Sequence, residues 1–178
     1  MTAQIEEIIR NIDQYELGET DNEFVCISGE DNQVVAVAMI GQAEFHLDIL
    51  SRDFDPDIYD NQECFDVIED LALLSQHSRI RILLHNPKKI SQRGHLIFYL
   101  SKRLGSLIQI RNIAEIHQHI PDTFMLVDRI GIMHRPHTDT LAATVNFKDH
   151  PKTKKLLQLF NKIWEESEPD PESEYIVV

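Results

Sequence analysis

The residues with the most chemical potential in this sequence are carboxylates. Asp53-x-Asp55 follows an alternating run, Phe45-His-Leu-Asp-Ile-Leu50. Aspartate pairs placed after a strand serve metal-dependent phosphohydrolases as nucleophile and metal ligand, in the crevice where strand carboxyl ends open. Such a site also needs a later lysine and a further acidic pair, and the sequence offers no clear position for either. A calcium loop starting at Asp53 fails at two positions, with Ile58 where glycine is required and Cys64 where glutamate is required. Asp-Pro turn chemistry and helix capping account for the same aspartates without a ligand. His117-x-His119 and His134-x-x-His137 have spacings at which two imidazoles can share an ion, yet neither has a carboxylate in fixed register. There is no Gly-x-Ser-x-Gly elbow and no Gly-x-Gly-x-x-Gly loop. Cys26 and Cys64 lie among apolar neighbours, the setting of buried free thiols in a reducing compartment. No complete catalytic motif is present, and neither a metal nor a cofactor is expected.

Charge narrows the classes further. The 178 residues carry a formal net charge of −13, distributed unevenly. Residues 1–66 hold 17 acids and 2 bases, residues 67–166 hold 9 acids and 15 bases, and residues 167–178 add 4 acids. Acidic balance argues against nucleic acid as a partner. The basic middle, with Arg79, Arg81, Lys88, Lys89, Arg93, Lys102 and Arg103, could hold a phosphate or nucleotide ligand, or simply face solvent. Alternatively, the acidic ends could mimic nucleic acid on a partner's basic surface. No apolar run approaches bilayer length, and the N-terminus has acids where a signal peptide needs bases. A cytoplasmic protein without membrane contact is the expectation.

The elements that would position these residues follow from periodicity. Ile5, Ile8, Ile9 and Ile12 predict an amphipathic helix over 3–14. Residues 34–43 are apolar throughout and fit either a strand or a buried helix on periodicity alone. Strands are predicted at Phe45–Leu50, Arg79–Leu84, Leu107–Ile110, Phe124–Val127, Ile132–His134 and Leu141–Phe147. Asp60 or Asn61 caps a helix of about 15 residues, a basic helix runs from about Ile90 to Leu104, and a last helix spans 151–166. The tail after Ser167 is acidic and proline-bearing, a composition that favours poor order. The alternation implies an α/β fold: a mixed, mostly parallel sheet sandwiched by helices.

In that order of elements, and in residues 121–147 above all, the chain resembles the phospholipase D-like superfamily. The resemblance covers residues 32–167 and favours a helix at 34–43. The family's motif is His-x-Lys-x4-Asp followed by Gly-Ser-x-Asn or a close variant. Its histidine attacks a phosphodiester, its lysine and small polar residues bind the phosphate, and two motifs meet across a pseudo-twofold or a dimer axis. With Asp128 as the motif aspartate, Pro121 stands for the histidine and Thr123 for the lysine. Proline offers no nucleophile and threonine no cation. Ala143-Thr144-Val145-Asn146 fits the second element, retaining a hydroxyl and an amide. The resemblance thus implies a degenerate, non-catalytic half of that fold, an interaction or regulatory module that forms a homodimer or meets a protein partner. Asp128, Thr144, Asn146, His95 and Arg93 are its vestigial-site or ligand-binding candidates, although Asp128 and Asn146 serve equally well as structural hydrogen-bonding groups. The implied organisation is an acidic N-terminal segment, 1–31, packed on an α/β domain, 32–167, with an acidic tail, 168–178. A phosphate- or nucleotide-binding protein and a metal-dependent phosphohydrolase using Asp53 and Asp55 remain the alternative readings.

Overall fold

The computed structural model describes residues 2–171, and the rest of the acidic tail lies outside them. The chain opens with α1 (Thr2–Arg10), a short 3₁₀ turn, and β1 (Phe24–Cys26). Next comes α2 (Gly29–Ile40), so the apolar run at 34–43 is largely helical. Ser28 Oγ caps it by accepting the Asp31 N–H at 3.1 Å. Val35, Ala36 and Met39 are fully buried and Val34, Val37 and Ala38 pack against the same core, which is why the run Val34–Ile40 is apolar throughout. β2 (His46–Ser51) leads through a one-turn α3 (Pro56–Tyr59) to α4 (Gln62–Leu74), which Asn61 caps. β3 (Arg79–Leu84) follows.

The single basic helix expected over 90–104 forms as two, α5 (Lys88–Arg93) and α6 (Leu96–Arg103). Gly94 separates them in a left-handed conformation, φ 68°, which a residue without Cβ adopts freely. β4 (Ile108–Asn112), β5 (Thr123–Val127), β6 (Gly131–Arg135), β7 (Ala143–Asn146) and α7 (His150–Glu166) complete the body of the fold. Part of the expected loose tail instead forms β8 (Glu168–Pro169), which pairs with β4.

The eight strands of the described residues form one sheet in the order β1-β7-β6-β5-β2-β3-β4-β8. The sheet is mixed, as expected, but parallel pairing is confined to β2–β3 and β3–β4, so antiparallel junctions outnumber parallel ones. Those two junctions are joined through helices, whereas residues 128–130 and 136–142 are too short for a crossover and make β5–β6 and β6–β7 antiparallel.

Helices cover both faces, and strand alternation divides the core in two. Ile49, Ile82, Met125 and Val145 point to the side holding α1, α2, α4 and α6. Leu50, Leu83, Phe124 and Leu126 point to α7, where Phe160, Ile163 and Trp164 meet them. Arg81 Nε donates to Asp48 Oδ1 at 2.6 Å on this second face, and its guanidinium lies 4.8 Å from the Phe160 ring centre. That placement takes Arg81 out of any solvent-facing basic site. Within residues 1–31, β1 extends the sheet through β7, and Ile5, Ile12 and Phe24 join the larger core.

Candidate functional site: a crevice at one end of the sheet

The carboxyl ends of β2 and β3 meet the start of β5 and the end of β6 on one side of the sheet. The loop leaving β2 carries Asp53 and Asp55 into this region. Between them Phe54 takes a left-handed φ of 56°, a costly conformation for an aromatic residue. Burial compensates for it: the Phe54 ring is fully enclosed, stacked on Tyr59 at 4.5 Å, with its N–H donated to Ser51 Oγ at 3.1 Å. Anchoring Phe54 inward leaves the flanking carboxylates at the surface of the crevice.

Each carboxylate is matched by cations. Asp53 Oδ2 lies 3.4 Å from Lys89 Nζ and 3.7 Å from Arg93 Nη1. Asp55 accepts a hydrogen bond from the buried Arg135 guanidinium. Burial lowers the Arg135 pKa from its ordinary value, with the nearby Asp53 charge opposing the shift. Arg135 stands directly across the β5–β6 hairpin from Thr123, the residue at the motif's lysine position. A cation is therefore present at this end of the sheet, but it arrives from the neighbouring strand and is already paired. Thr123 is 4% exposed and its Oγ1 has no hydrogen-bond partner among the described residues.

The sequence candidates divide between the two ends of the sheet. Arg93 sits at the crevice through its contact with Asp53. His95 is fully buried beneath it: Nδ1 accepts the Ile97 N–H at 3.3 Å, leaving Nε2 as the donor to the Phe54 carbonyl at 3.1 Å. Desolvation lowers the His95 pKa, and Asp60, 3.4 Å away, opposes it. His95 thus holds the strained loop in place. Thr144, opposite His134, lies on the α7 side of the sheet. Asp128 and Asn146 are at the far end. Asp128, with φ 48°, accepts the N–H groups of Glu44, Phe45 and His46 at 2.7, 2.9 and 2.7 Å. Asn146 donates to Asp21 at 3.0 Å and accepts the Lys148 N–H at 3.1 Å. Asp128 and Thr123 are separated by the length of β5, about 17 Å at strand rise.

The histidine pairs do not converge either. His117 bonds Glu166 at 2.5 Å and His134 bonds Asp122 at 2.7 Å, whereas His119 and His137 are exposed. Among the described residues no three His, Cys, Asp or Glu side chains gather as a metal site. A metal at Asp53 and Asp55 would have to displace their cations. Of the basic residues of the middle segment, Lys88, Lys89 and Arg93 share α5, while Arg79 donates to the carbonyls of Gln76 and Ser78, Arg103 pairs with Glu69, and Lys102 lies over Phe98. Cys26 and Cys64 are buried free thiols whose pKa values burial raises to about 12, which removes them as nucleophiles. No helix in the described residues is long and apolar enough to cross a membrane.

Solved structures that share the fold include three from different sources. Nuc from Salmonella typhimurium, a phospholipase D family member, aligns with a TM-score of 0.59 at 14% identity over 84% of this chain and 97% of its own. NucT from Helicobacter pylori aligns at 0.60 with 12% identity over 84% and 99%. TrmBL2, an archaeal chromatin protein with a novel mode of DNA binding, aligns at 0.63 with 15% identity; the match covers 95% of this chain but 61% of TrmBL2. At these identities the likeness establishes the fold and leaves activity open. No curated protein matches the sequence. Residues 28–175 match the model of a domain of unknown function, DUF7931. With an α/β fold like that of the phospholipase D family, this chain belongs to the DUF7931 family.

Proposed function

We propose that the protein is a non-catalytic phospholipase D-like module, a homodimer with an interaction or regulatory role. The observation that carries this reading is the pair Thr123 and Arg135. Where the motif has a free lysine, this chain has a neutral hydroxyl, and the neighbouring arginine is committed to Asp55. Pro121 supplies no nucleophile, and His95, the histidine closest in chain order to Arg93, has both ring nitrogens engaged. Phosphoryl transfer without a free cation to hold developing charge would forfeit most of the available electrostatic stabilisation. The homodimer rests on the way the phospholipase D-like family brings two motifs together across a twofold, since this chain carries one. The DNA binding of TrmBL2 finds no support in a chain of net charge −13 in which Arg81, Lys89, Arg93, Arg103 and Arg135 are paired with carboxylates.

Assayed with bis(p-nitrophenyl) phosphate, the purified protein is expected to turn over no faster than the buffer blank. Turnover above the blank that disappears in Arg135→Met would overturn the reading. Sedimentation at micromolar concentration is expected to give a dimer.

One observation favours a second reading, a phosphate- or nucleotide-ligand protein. The orphaned Thr123 Oγ1 and the Arg135 guanidinium are cross-strand neighbours, so an anion displacing Asp55 would find both a hydroxyl and a charge. A thermal-shift panel of inorganic phosphate, nucleotides and phosphosugars separates the two. A rise with one of them that is absent in Arg135→Met supports the ligand site, and a flat panel at millimolar ligand rejects it.

A further inference from the structure

The two edges of the sheet are finished differently. At one edge β8 places Pro169 against Arg111, followed by Asp170 and Pro171. Prolines lack the N–H that a further strand would need, and this edge is blunted in the usual way. At the other edge, among the described residues, β1 pairs with β7 on one side only. It has no proline and no lysine, and it exposes apolar side chains: Val25 is 48% and Ile27 58% exposed.

A groove of about 240 Å³ runs along this edge. Ile5 and Ile8 of α1 line it on one side, and Phe24, Val25 and Ile27 on the other. Phe24 and Val25 are consecutive and point to opposite faces of the sheet, so a groove that touches both follows the strand's edge rather than one face. Gln4 and Glu23 supply its polar lining. α1 adds Glu6 and Glu7 with Arg10 as its one base, and Lys152 reaches in to Glu23 at 3.4 Å.

We propose that this edge is a strand-addition site for an extended segment of another protein, with alternate apolar side chains and lysine or arginine at its ends. A peptide laid along β1 would take main-chain hydrogen bonds from its free edge and seat every second side chain between Ile5, Ile8 and Ile27. Charge selects the occupant. Residues 1–31, the segment that lines the groove, carry 9 acids against 1 base, and two copies meeting edge to edge would bring two such segments together. A basic strand is attracted by the same field. The groove is built from α1 and β1, apart from the crevice residues, and the inference holds whether or not the crevice is catalytic.

The test uses the full chain and a synthetic probe, the seven-residue peptide Lys-Val-Lys-Val-Thr-Val-Lys carrying a fluorophore, followed by anisotropy. Binding is expected with a dissociation constant on the order of 100 µM, weakening as salt is raised. Val25→Lys and Ile8→Glu, each checked for an unchanged melting temperature, are expected to behave differently. Val25→Lys repels the basic strand and weakens it about tenfold. Ile8→Glu removes an apolar contact while adding an attractive charge, so it separates shape from electrostatics: binding persists but becomes more salt-dependent. Three results would each overturn the proposal: no anisotropy change with the basic peptide, equal binding of a peptide with glutamate in place of each lysine, or a dimer in sedimentation that Val25→Lys dissolves. None of these bears on the phosphodiester assay, so failure here leaves the non-catalytic reading standing.

Discussion

Asp128 shows how one side chain can organise a turn that no local pattern announces. Its carboxylate gathers the N–H groups of Glu44, Phe45 and His46, residues more than eighty positions earlier, and so ties the β5–β6 turn to the entrance of β2. Asp128→Ala is expected to cost about 2–3 kcal/mol, because three donors lose a charged acceptor and alanine is strained at a φ of 48°. Asp128→Asn should cost roughly half as much, since asparagine tolerates that backbone and retains one acceptor. Urea midpoints of the two variants measure the difference, and equal losses would show that charge rather than geometry dominates. The sequence made Asp128 visible as a motif position but said nothing about its partners, which lie across the sheet. Arg135 was the opposite case. It belongs to no motif, yet it faces Thr123 as soon as residues 128–130 are taken as a tight connection with Val127 opposite Gly131. Strand pairing, which single-residue reasoning does not supply, was the missing signal.

Among the elements, the break between α5 and α6 is the most informative. Helix-favouring residues on both sides of Gly94 make one continuous helix the natural reading of 90–104. What splits it is tertiary: His95 must cap α6 and at the same time reach the Phe54 carbonyl, and the chain turns through Gly94 to allow this. Gly94→Ala is expected to lower stability by about 1 kcal/mol through backbone strain alone, because an added Cβ would come no nearer than 3.5 Å to the Tyr99 hydroxyl. Gly94→Asn should lose less. Melting temperatures of both proteins check this, and an unchanged Gly94→Ala would mean that the turn relaxes without penalty. By contrast β2, β3, β5 and α7 were legible nearly to the residue, since their apolar patterns match single faces or fully buried strands. β8 was not legible: a two-residue strand containing proline carries no periodic signal, and it exists because β4 offers it an edge.

For the molecule as a whole, partly and fully buried histidines set a direction for acid sensitivity. His46, His85 and His95 are distributed over the sheet and its crevice, and desolvation lowers the pKa of each from 6.5. In the unfolded chain these rings take up protons near pH 6.5, while in the folded chain they resist doing so. The folded state is therefore favoured above that pH and loses stability as the pH falls through 6.5, at a rate of up to about 1.4 kcal/mol per pH unit for each ring. Thermal unfolding at pH 7.5 and 5.5 should show a clear drop, shallower in His95→Gln. A flat or rising melting temperature on acidification would contradict it. Topology at this scale was only partly readable. The order of strands along the chain implied an α/β sandwich, but β5 inserting antiparallel beside β2 depends on contacts more than seventy residues apart. Periodicity does not encode that, and the expectation of a mostly parallel sheet missed it.

The packing under α7 gives the molecule a built-in optical reporter. Trp164 is the only tryptophan of the chain, 8% exposed, stacked on Phe160 at 5.8 Å, with the Arg111 guanidinium 4.4 Å from its ring centre and that of Arg81 at 5.5 Å. Its emission is thus shielded from water and set beside two cations that exist in this arrangement only while α7 is docked. A red shift on partial denaturation would time the detachment of α7 alone. The α1–β1 groove runs along the opposite edge of the sheet from that indole, which sits beside β3 and β4, so occupancy of the groove and loosening of α7 can be followed independently in one cuvette.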